Sequence, residues 1–366
     1  MKIYYPLLCY YPSQAGGPAN SIFWINEELA NVGYSCVVTS TFFGLNSSTS
    51  LDPKIYNSAN KIKFVSNSLK FISFTELKKV LSVDIIHFSS LFFKPTLPLL
   101  LFALLFGKKV AISPRGELFP DALAKSKRVK LIYLYFLKPI SKQLKFHATS
   151  DSEKKLILSY FPQNKGVYTI PNFINVEKLH SIDQQNQVLF LGRINEIKNI
   201  HLIVKAMDLL KNSKLSYPKL IIAGKAEIDS EIQYLRKLEN EIHALGLVKD
   251  IVFVGQVEGE QKMNLFQESL CTILPSKSEN FGNVVLESLM VGTPVIASKG
   301  TPWEVMNKKK IGFWIDATPD GIAEKISKII EMESGSYSLM RSRARLFVEE
   351  EFDIQKNINM WTEFYN

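Results

Sequence analysis

The 366-residue chain predicts an α/β protein built from two doubly wound domains, each a parallel sheet covered by helices. Three observations predict this. Short apolar runs alternate with amphipathic runs along most of the chain, the pattern of strand–helix–strand units with right-handed crossovers. Several apolar runs, such as "KLIIAG" and "DIVFVG", end in glycine and lack polar alternation, as expected of strands covered on both faces. A polar, turn-rich stretch, "PNFINVEKLHSIDQQNQ" at 171–187, separates two series of such units and reads as an inter-domain connection.

Taken in order, the first series of candidate strands lies at 2–9, 35–40, 61–65, 84–88, 109–113, 146–149 and 167–170, with a helical pattern at 20–31. The second lies at 187–192, 219–224, 251–254, 271–275, 294–297 and 312–315, with helical patterns at 199–211, 228–245 and 260–269. The domains are expected to face each other across a cleft. Ligands of such sheets bind beyond the carboxyl ends of the strands, so the loops that follow strands carry the functional argument. No internal repeat or low-complexity tract is visible.

Composition narrows the class. Hydrophobic residues make up 46% and charged residues 22%, values of a globular chain rather than a disordered one. The three cysteines, Cys9, Cys36 and Cys271, lie in apolar strand-like runs without a CxxC pair. They read as small buried hydrophobes in a reduced cytoplasmic protein, with no metal or disulfide framework. The N-terminal "MKIYYPLLCYYPS" lacks the apolar core and cleavage site of a signal peptide and reads as a first strand. The apolar "LPLLLFALLF" at 97–106 is about half the roughly 20 residues a spanning helix needs, so a buried helix is expected there.

Two loops suit phosphate. Gly16 and Gly17 follow the first strand and precede a helix, where glycine lets a ligand approach and helix N–H groups favour anions. The run is not GxGxxG, and no acid closes the second strand, so a dinucleotide site is not expected; an ordinary glycine turn is the alternative. In "VLFLGRINEIKNIHLIVKAM" at 188–207, a strand ends at Gly192, Arg193 follows, and Lys198 comes where the next helix begins. A forked guanidinium and a point charge at a strand end suit a diphosphate; a solvated charged loop is the alternative.

Two carboxylates raise a further question. In "CTILPSKSENFGNVVLESLMVGTPVIAS" at 271–298, Glu279 stands in a polar turn and Glu287 within an apolar helical run. A carboxylate among apolar neighbours needs a partner. Hydroxyls of a sugar and a ribose are one kind of partner, with the backbone of Asn280, Phe281, Gly282 and Asn283 nearby. A structural salt bridge to Lys or Arg is the other.

Glu279 and Glu287 at E-x7-E spacing, followed by "GTPVIAS" and preceded by "GRINEIKN", "IIAG" and "IVFVGQV", resemble the retaining glycosyltransferases of family 4. "DIIHFSSLF", "AISPRGELFP", "ATSDSEKK" and "IPNFIN" extend the resemblance through the N-terminal half, toward members that build bacterial surface polysaccharides. The resemblance implies the GT-B fold: two Rossmann-like domains across a deep cleft, 1–175 for the acceptor and 176–351 for the nucleotide sugar. It also implies a C-terminal helix within 352–366 that returns to the first domain. In the implied site Arg193 and Lys198 neutralise the leaving diphosphate, Glu287 holds the ribose, and Glu279 with the following amides holds the sugar. Gly16, Gly17 and Gly192 shape the donor loops. Catalysis is implied to retain anomeric configuration with no metal and no cofactor, the charge being met by preorganised cations.

One departure concerns the acceptor side. Many family members carry a second histidine after the fourth strand or a "PHG" turn after the fifth; here "IHFSS" keeps His87 but has Ser89, and "SPRG" places Arg115 in the turn. His87 is then either catalytic or a satisfied core histidine. Arg115 either anchors an acceptor phosphate or the donor, or pairs with Glu117 or Asp121.

The formal net charge is +9, and 108–148 holds ten Lys or Arg against two acids. Its "KSKRVKLIYLYFLKPISKQLK" interleaves cations with apolar and aromatic residues, which suits an anionic membrane surface, a core helix with a solvated face being the alternative. With the resemblance, this implies a peripheral protein on the inner face of the bacterial cytoplasmic membrane, acting on a polyprenyl-diphosphate-linked glycan. No nucleic-acid motif accompanies the charge. Two other readings of the fold stand beside the transferase: a sugar-nucleotide 2-epimerase, which needs acid/base histidines near the sugar, and a non-catalytic binding subunit. "TPWEV" at 301–305 is expected to line the base or sugar end of the cleft.

Overall fold

A computed structural model describes residues 1–13, 17–45, 52–124, 126–176, 182–213 and 217–366. The chain divides into two compact units, Met1–Asn175 with Phe352–Asn366, and Val176–Glu351.

The first unit carries strands β1 (Lys2–Leu7), β2 (Ser35–Thr41), β3 (Lys61–Val65), β4 (Ile85–Phe88), β5 (Lys109–Ile112), β6 (Leu144–Ala148) and β7 (Gly166–Thr169). All pair in parallel in the order β3-β2-β1-β4-β5-β6-β7. Its helices are α1 (Gly17–Asn31), α2 (Phe74–Leu81), α3 (Thr96–Leu105), α4 (Pro120–Ala124), α5 (Lys127–Leu137), α6 (Asp151–Tyr160) and, from the chain's end, α14 (Ile354–Tyr365). Side chains alternate across the sheet. Tyr4, Ile86, Phe88, Ile112 and Phe146 face α2, α3, α5 and α6. Ile3, Tyr5, Val38 and Ile85 face α1 and α14, where Trp361, Phe364 and Tyr365 fill the core. A bridge between Ile174 and Asp353 joins the start of α14 to this unit.

The second unit carries β8 (Gln187–Leu191), β9 (Lys219–Ala223), β10 (Ile251–Gly255), β11 (Cys271–Leu274), β12 (Val295–Ser298) and β13 (Gly312–Ile315), parallel in the order β10-β9-β8-β11-β12-β13. Its helices are α7 (Ile200–Asn212), α8 (Asp229–Ala244), α9 (Gly259–Glu268), α10 (Asn283–Met290), α11 (Val305–Lys309), α12 (Pro319–Ile330) and α13 (Ser334–Glu351). α7, α8 and α12 cover one face of the sheet. α10 packs on α13, tied by an Arg345 bond to the Met290 carbonyl at 2.7 Å. In both units the strand order reverses beside the first strand, so the loops after β1 and β4, and after β8 and β11, flank the switch points where doubly wound sheets take ligands.

The α/β expectation holds for both sheets, with three corrections of detail. β1 ends at Leu7, so Cys9 lies beyond the strand and is only partly buried; burial pushes its thiol up to about 11. α3 is not a buried helix throughout: Leu99, Leu100 and Ala103 are buried, but Leu101, Leu105 and Phe106 are exposed, because a single face of a surface helix meets the sheet. The basic stretch is not simply a core helix either, since Leu134 and Leu137 of α5 turn inward while Val129, Ile132, Tyr135 and Phe136 face out.

Candidate functional site

In the second unit, the ends of β8, β11 and β12 are knitted together. Asn199, at φ 53°, donates to the Pro275 carbonyl at 3.0 Å, and the Lys277 amide donates to Ile197 at 2.8 Å. The Glu279 amide donates to Gly300 at 2.9 Å. β9 presses on the same place: a Cβ on Gly224 would sit 1.9 Å from the Gly192 carbonyl oxygen, so only glycine permits this approach.

These loops fix two charge pairs. Lys198 forms a short ion pair with Glu279, whose Oε1 also accepts from the Ser276 hydroxyl at 2.8 Å. Both side chains are largely buried. Glu287, in the second turn of α10, pairs with Lys262 of α9 at 2.8 Å, again with both side chains largely buried. The salt-bridge partners foreseen as one alternative are thus present for both carboxylates. Arg193 is more open, its guanidinium 3.9 Å from Glu231. A lysine held beside a carboxylate at a strand end is an exchangeable arrangement. An arriving anion offers the lysine a second partner, and an arriving hydroxyl offers the carboxylate a donor.

The turn between Glu279 and α10 is braced from below. Gly282 adopts φ 84°, a left-handed conformation that glycine takes without strain. Trp303 donates from its indole nitrogen to the Phe281 carbonyl at 2.6 Å and meets the Phe281 ring edge-on at 5.2 Å. Asn283 opens α10. Trp303 is buried, so the expectation that this part of "TPWEV" lines a ligand is corrected: its ring is packed beneath the turn that precedes α10.

In the first unit, a neutral chain of hydrogen bonds crosses the sheet. His147 Nε2 lies 2.8 Å from the Ile170 carbonyl, which can only accept. That fixes every proton upstream. His147 Nδ1 accepts from Ser113, Ser113 accepts from His87 Nε2, and His87 Nδ1 accepts from Tyr365. Tyr365 in turn accepts from Tyr5 at 2.6 Å. Burial holds both imidazoles neutral, helped by the Arg115 charge; it lowers His147 to about 3 and His87 well below the ordinary value. With both ring nitrogens engaged, His87 takes the place of a satisfied core histidine.

Arg115, at φ 50°, donates from Nε to Ser89 at 2.8 Å and from Nη1 to Asn172 at 3.2 Å. Its Nη2 is buried without a partner. Pairing with Glu117 or Asp121 is not what the chain does, because Glu117 accepts from Ser90 and the Leu91 amide instead, both at 2.6 Å. Gly17 begins α1, and Gly16 lies outside the described residues. Lys262, Ser113, His147 and Tyr365 belong to these clusters without a signal in the sequence. Among the described residues, no group of three or more His, Cys, Asp or Glu is placed to hold a metal ion.

Residues 173–347 match the family model of glycosyl transferases group 1, the segment that holds Arg193, Lys198, Glu279 and Glu287. An uncharacterized glycosyltransferase of Methanocaldococcus jannaschii is 31% identical over 40% of the chain and 36% of its own length. An uncharacterized 41.2 kDa protein in the cps region of Klebsiella pneumoniae is 24% identical over 82% of the chain and 83% of its own length. The chain therefore spans little more than a third of the first relative. Among solved structures, Anabaena HepE in complex with UDP-glucose aligns at 16% identity over 99% of both chains, with a TM-score of 0.75. The likeness shows the GT-B fold, and together the comparisons support a glycosyltransferase.

Proposed function

We propose that the chain moves a sugar from a nucleotide-diphosphate sugar to a glycan acceptor with retention of anomeric configuration. The observation that carries this reading is the Lys198–Glu279 pair at the ends of β8 and β11, with Glu287 and Lys262 beyond it, inside the matched segment. In the donor complex Lys198 and Arg193 meet the diphosphate. Glu279 accepts from sugar hydroxyls beside the backbone of Asn280–Asn283, and Glu287 accepts from the ribose. Gly192, directly after β8, leaves room for the phosphates. As the bond to the anomeric carbon breaks, negative charge grows on the leaving diphosphate, and cations already fixed by the fold stabilise it without reorganising. No metal or other cofactor takes part in this scheme.

HepE is described with UDP-glucose, and the Klebsiella relative is encoded in a cps region. Both support a nucleotide sugar and a surface glycan such as O-antigen, capsule or exopolysaccharide. The acceptor is a polyprenyl-diphosphate-linked glycan presented at the cytoplasmic membrane. Arg115 supports an anionic acceptor: it is a buried guanidinium whose Nη2 has no hydrogen-bond partner. The 2-epimerase alternative requires histidines free to move protons, and His87 and His147 have no free ring nitrogen.

A thermal-shift panel of UDP, GDP, ADP, dTDP and CMP with their sugars, with and without EDTA, tests the reading. One nucleotide diphosphate is expected to raise Tm, unchanged by EDTA, since selective binding stabilises the folded state by mass action. No shift at millimolar ligand would contradict it.

A further inference from the structure

Ten cations crowd the segment 108–148, yet the structure gives them different tasks. Lys108 donates to the Leu81 and Val83 carbonyls, Lys109 to Asn366, Lys130 to Ala122 and Lys145 to Phe364. Arg115 is held at the strand ends. Lys109 is exposed as well, and Lys125 lies outside the described residues; the four other exposed cations, Lys127, Arg128, Lys138 and Lys142, all belong to α5 or the turn after it. Among the described residues none of the four makes an ion pair with a carboxylate.

The same helix is apolar on two faces. Leu134 and Leu137 are buried in the core. On the opposite side Val129, Ile132, Tyr135 and Phe136 follow one another at helical spacing, between 57% and 74% exposed. Helical geometry places Arg128 on this outer arc, while Lys127 and Lys138 lie on the stripe of Leu134, exposed at the two ends of the helix. α3, whose strands β4 and β5 adjoin those of α5, lies in the same helical layer and adds exposed Leu101, Leu105 and Phe106. A soluble surface rarely gathers so many large apolar side chains. No helix among the described residues is long and apolar enough to cross a membrane.

We infer that the outer face of α5 is a membrane-docking surface that lies flat on an anionic bilayer, with Ile132 and Phe136 inserted and Arg128, Lys127, Lys138 and Lys142 at the headgroups. The partner is fixed by charge complementarity. The charged side chains of α5 and of the turn after it are all cationic and the centre is apolar and aromatic, which fits negative headgroups around an acyl interior. A second copy of this chain would bring the same cations against themselves. The inference rests on the proposed lipid-linked acceptor, for which it supplies the means of approach: the face sits on the unit that carries Arg115.

Sedimentation of the full-length protein with vesicles tests it. Vesicles of phosphatidylcholine with about 30% phosphatidylglycerol are expected to bring down the wild-type protein, and pure phosphatidylcholine to bind it about tenfold less. The double variant Ile132→Asn/Phe136→Asn is expected to bind the anionic vesicles at least tenfold more weakly at any salt concentration. Lys127→Gln/Arg128→Gln is expected to bind more weakly at low salt only. Nucleotide-diphosphate shifts of Tm should be unchanged in both, which confirms folding and separates this test from that of the transferase reading. Wild-type protein that stays in solution with anionic vesicles, or an apolar variant that binds like wild type, would overturn the inference. So would a lipid-free dimer that the Ile132→Asn/Phe136→Asn change dissolves.

Discussion

The strand ends of the two units handle buried polarity in opposite ways. In the second unit charge meets charge: Lys198 with Glu279, Lys262 with Glu287, all four side chains largely but not fully covered. In the first unit neutrality is enforced: two imidazoles, one serine and two tyrosines pass hydrogen bonds in a single direction, ending on a backbone carbonyl. A charged pair at a strand end can trade partners with a ligand. A closed chain of neutral donors and acceptors cannot do so without leaving a buried group unsatisfied. Under the proposed function, the difference puts donor chemistry in the second unit and rigidity at the centre of the first, where Arg115 and the Glu76 cluster are the charged exceptions.

The sharpest way to break this comparison is to remove one cation. Lys198→Ala is expected to lower kcat/KM by about 10³, roughly 4 kcal/mol of transition-state stabilisation. Arg193→Ala, more exposed, should lower it about 10²-fold. Initial rates of nucleotide-diphosphate release measure both, and wild-type-like rates in either variant would remove that cation from the site.

A second test asks whether buried charge in the first unit is structural. Glu76, fully buried on α2, accepts from Tyr4, Thr39 and Lys63 and pairs with Lys79. Burial opposes its charge, but these donors outweigh burial and hold the carboxyl below its usual range. Glu76→Gln is expected to cost about 3 kcal/mol in urea unfolding of the first unit, because it leaves the lysines facing a neutral group. Turnover at temperatures below the transition should be little changed.

The neutral histidines predict an acid dependence of opposite origin. Their folded pKa values lie below the unfolded value of about 6.5, so the unfolded chain binds more protons as pH falls. Stability is therefore full above about pH 6.5 and declines toward pH 3, by about 1.4 kcal/mol per pH unit for each histidine. Unfolding midpoints from pH 8 to 5 should fall in the wild type and fall less steeply in His147→Gln. A flat wild-type profile would mean that the imidazoles are not held neutral.

The smallest expected effect concerns Arg115. Arg115→Lys should raise the KM for a lipid-linked acceptor about tenfold and leave the nucleotide-sugar KM unchanged, since lysine cannot fork as arginine does. Equal changes in both constants would place Arg115 elsewhere in the reaction.

How much of this was legible in the sequence follows from where each signal resides. The strands were legible because both faces are covered: "VLFL" is apolar throughout and "CTIL" is interrupted only by Thr272. Boundaries slipped where a polar residue belongs to a strand for a tertiary reason. β6 starts at Leu144, two residues before the expected 146: Leu144 and Lys145 pair with Val110 and Ala111 of β5, and the polar Lys145, whose side chain reaches the Phe364 carbonyl, hid this from the pattern. The residues of the second-unit site were readable as chemistry, since glycine, cation and carboxylate follow strands directly. Their partners were not. Lys262 is 25 residues from Glu287 and on another helix, and Tyr365 is 278 residues from His87. "TPWEV" read as a lining run because residues near a ligand loop look the same whether they face it or, as Trp303 does, brace it. The outer face of α5 was visible only as composition. Deciding which cations were already committed to carbonyls required the folded chain.

Isothermal titration of the nucleotide diphosphate that shifts Tm, into wild-type, Lys198→Ala and His87→Asn protein, tests the central claim most directly. The account predicts one site with equal affinity in wild type and His87→Asn, and at least tenfold weaker binding in Lys198→Ala. Unchanged binding in Lys198→Ala, or binding lost in His87→Asn, would contradict it.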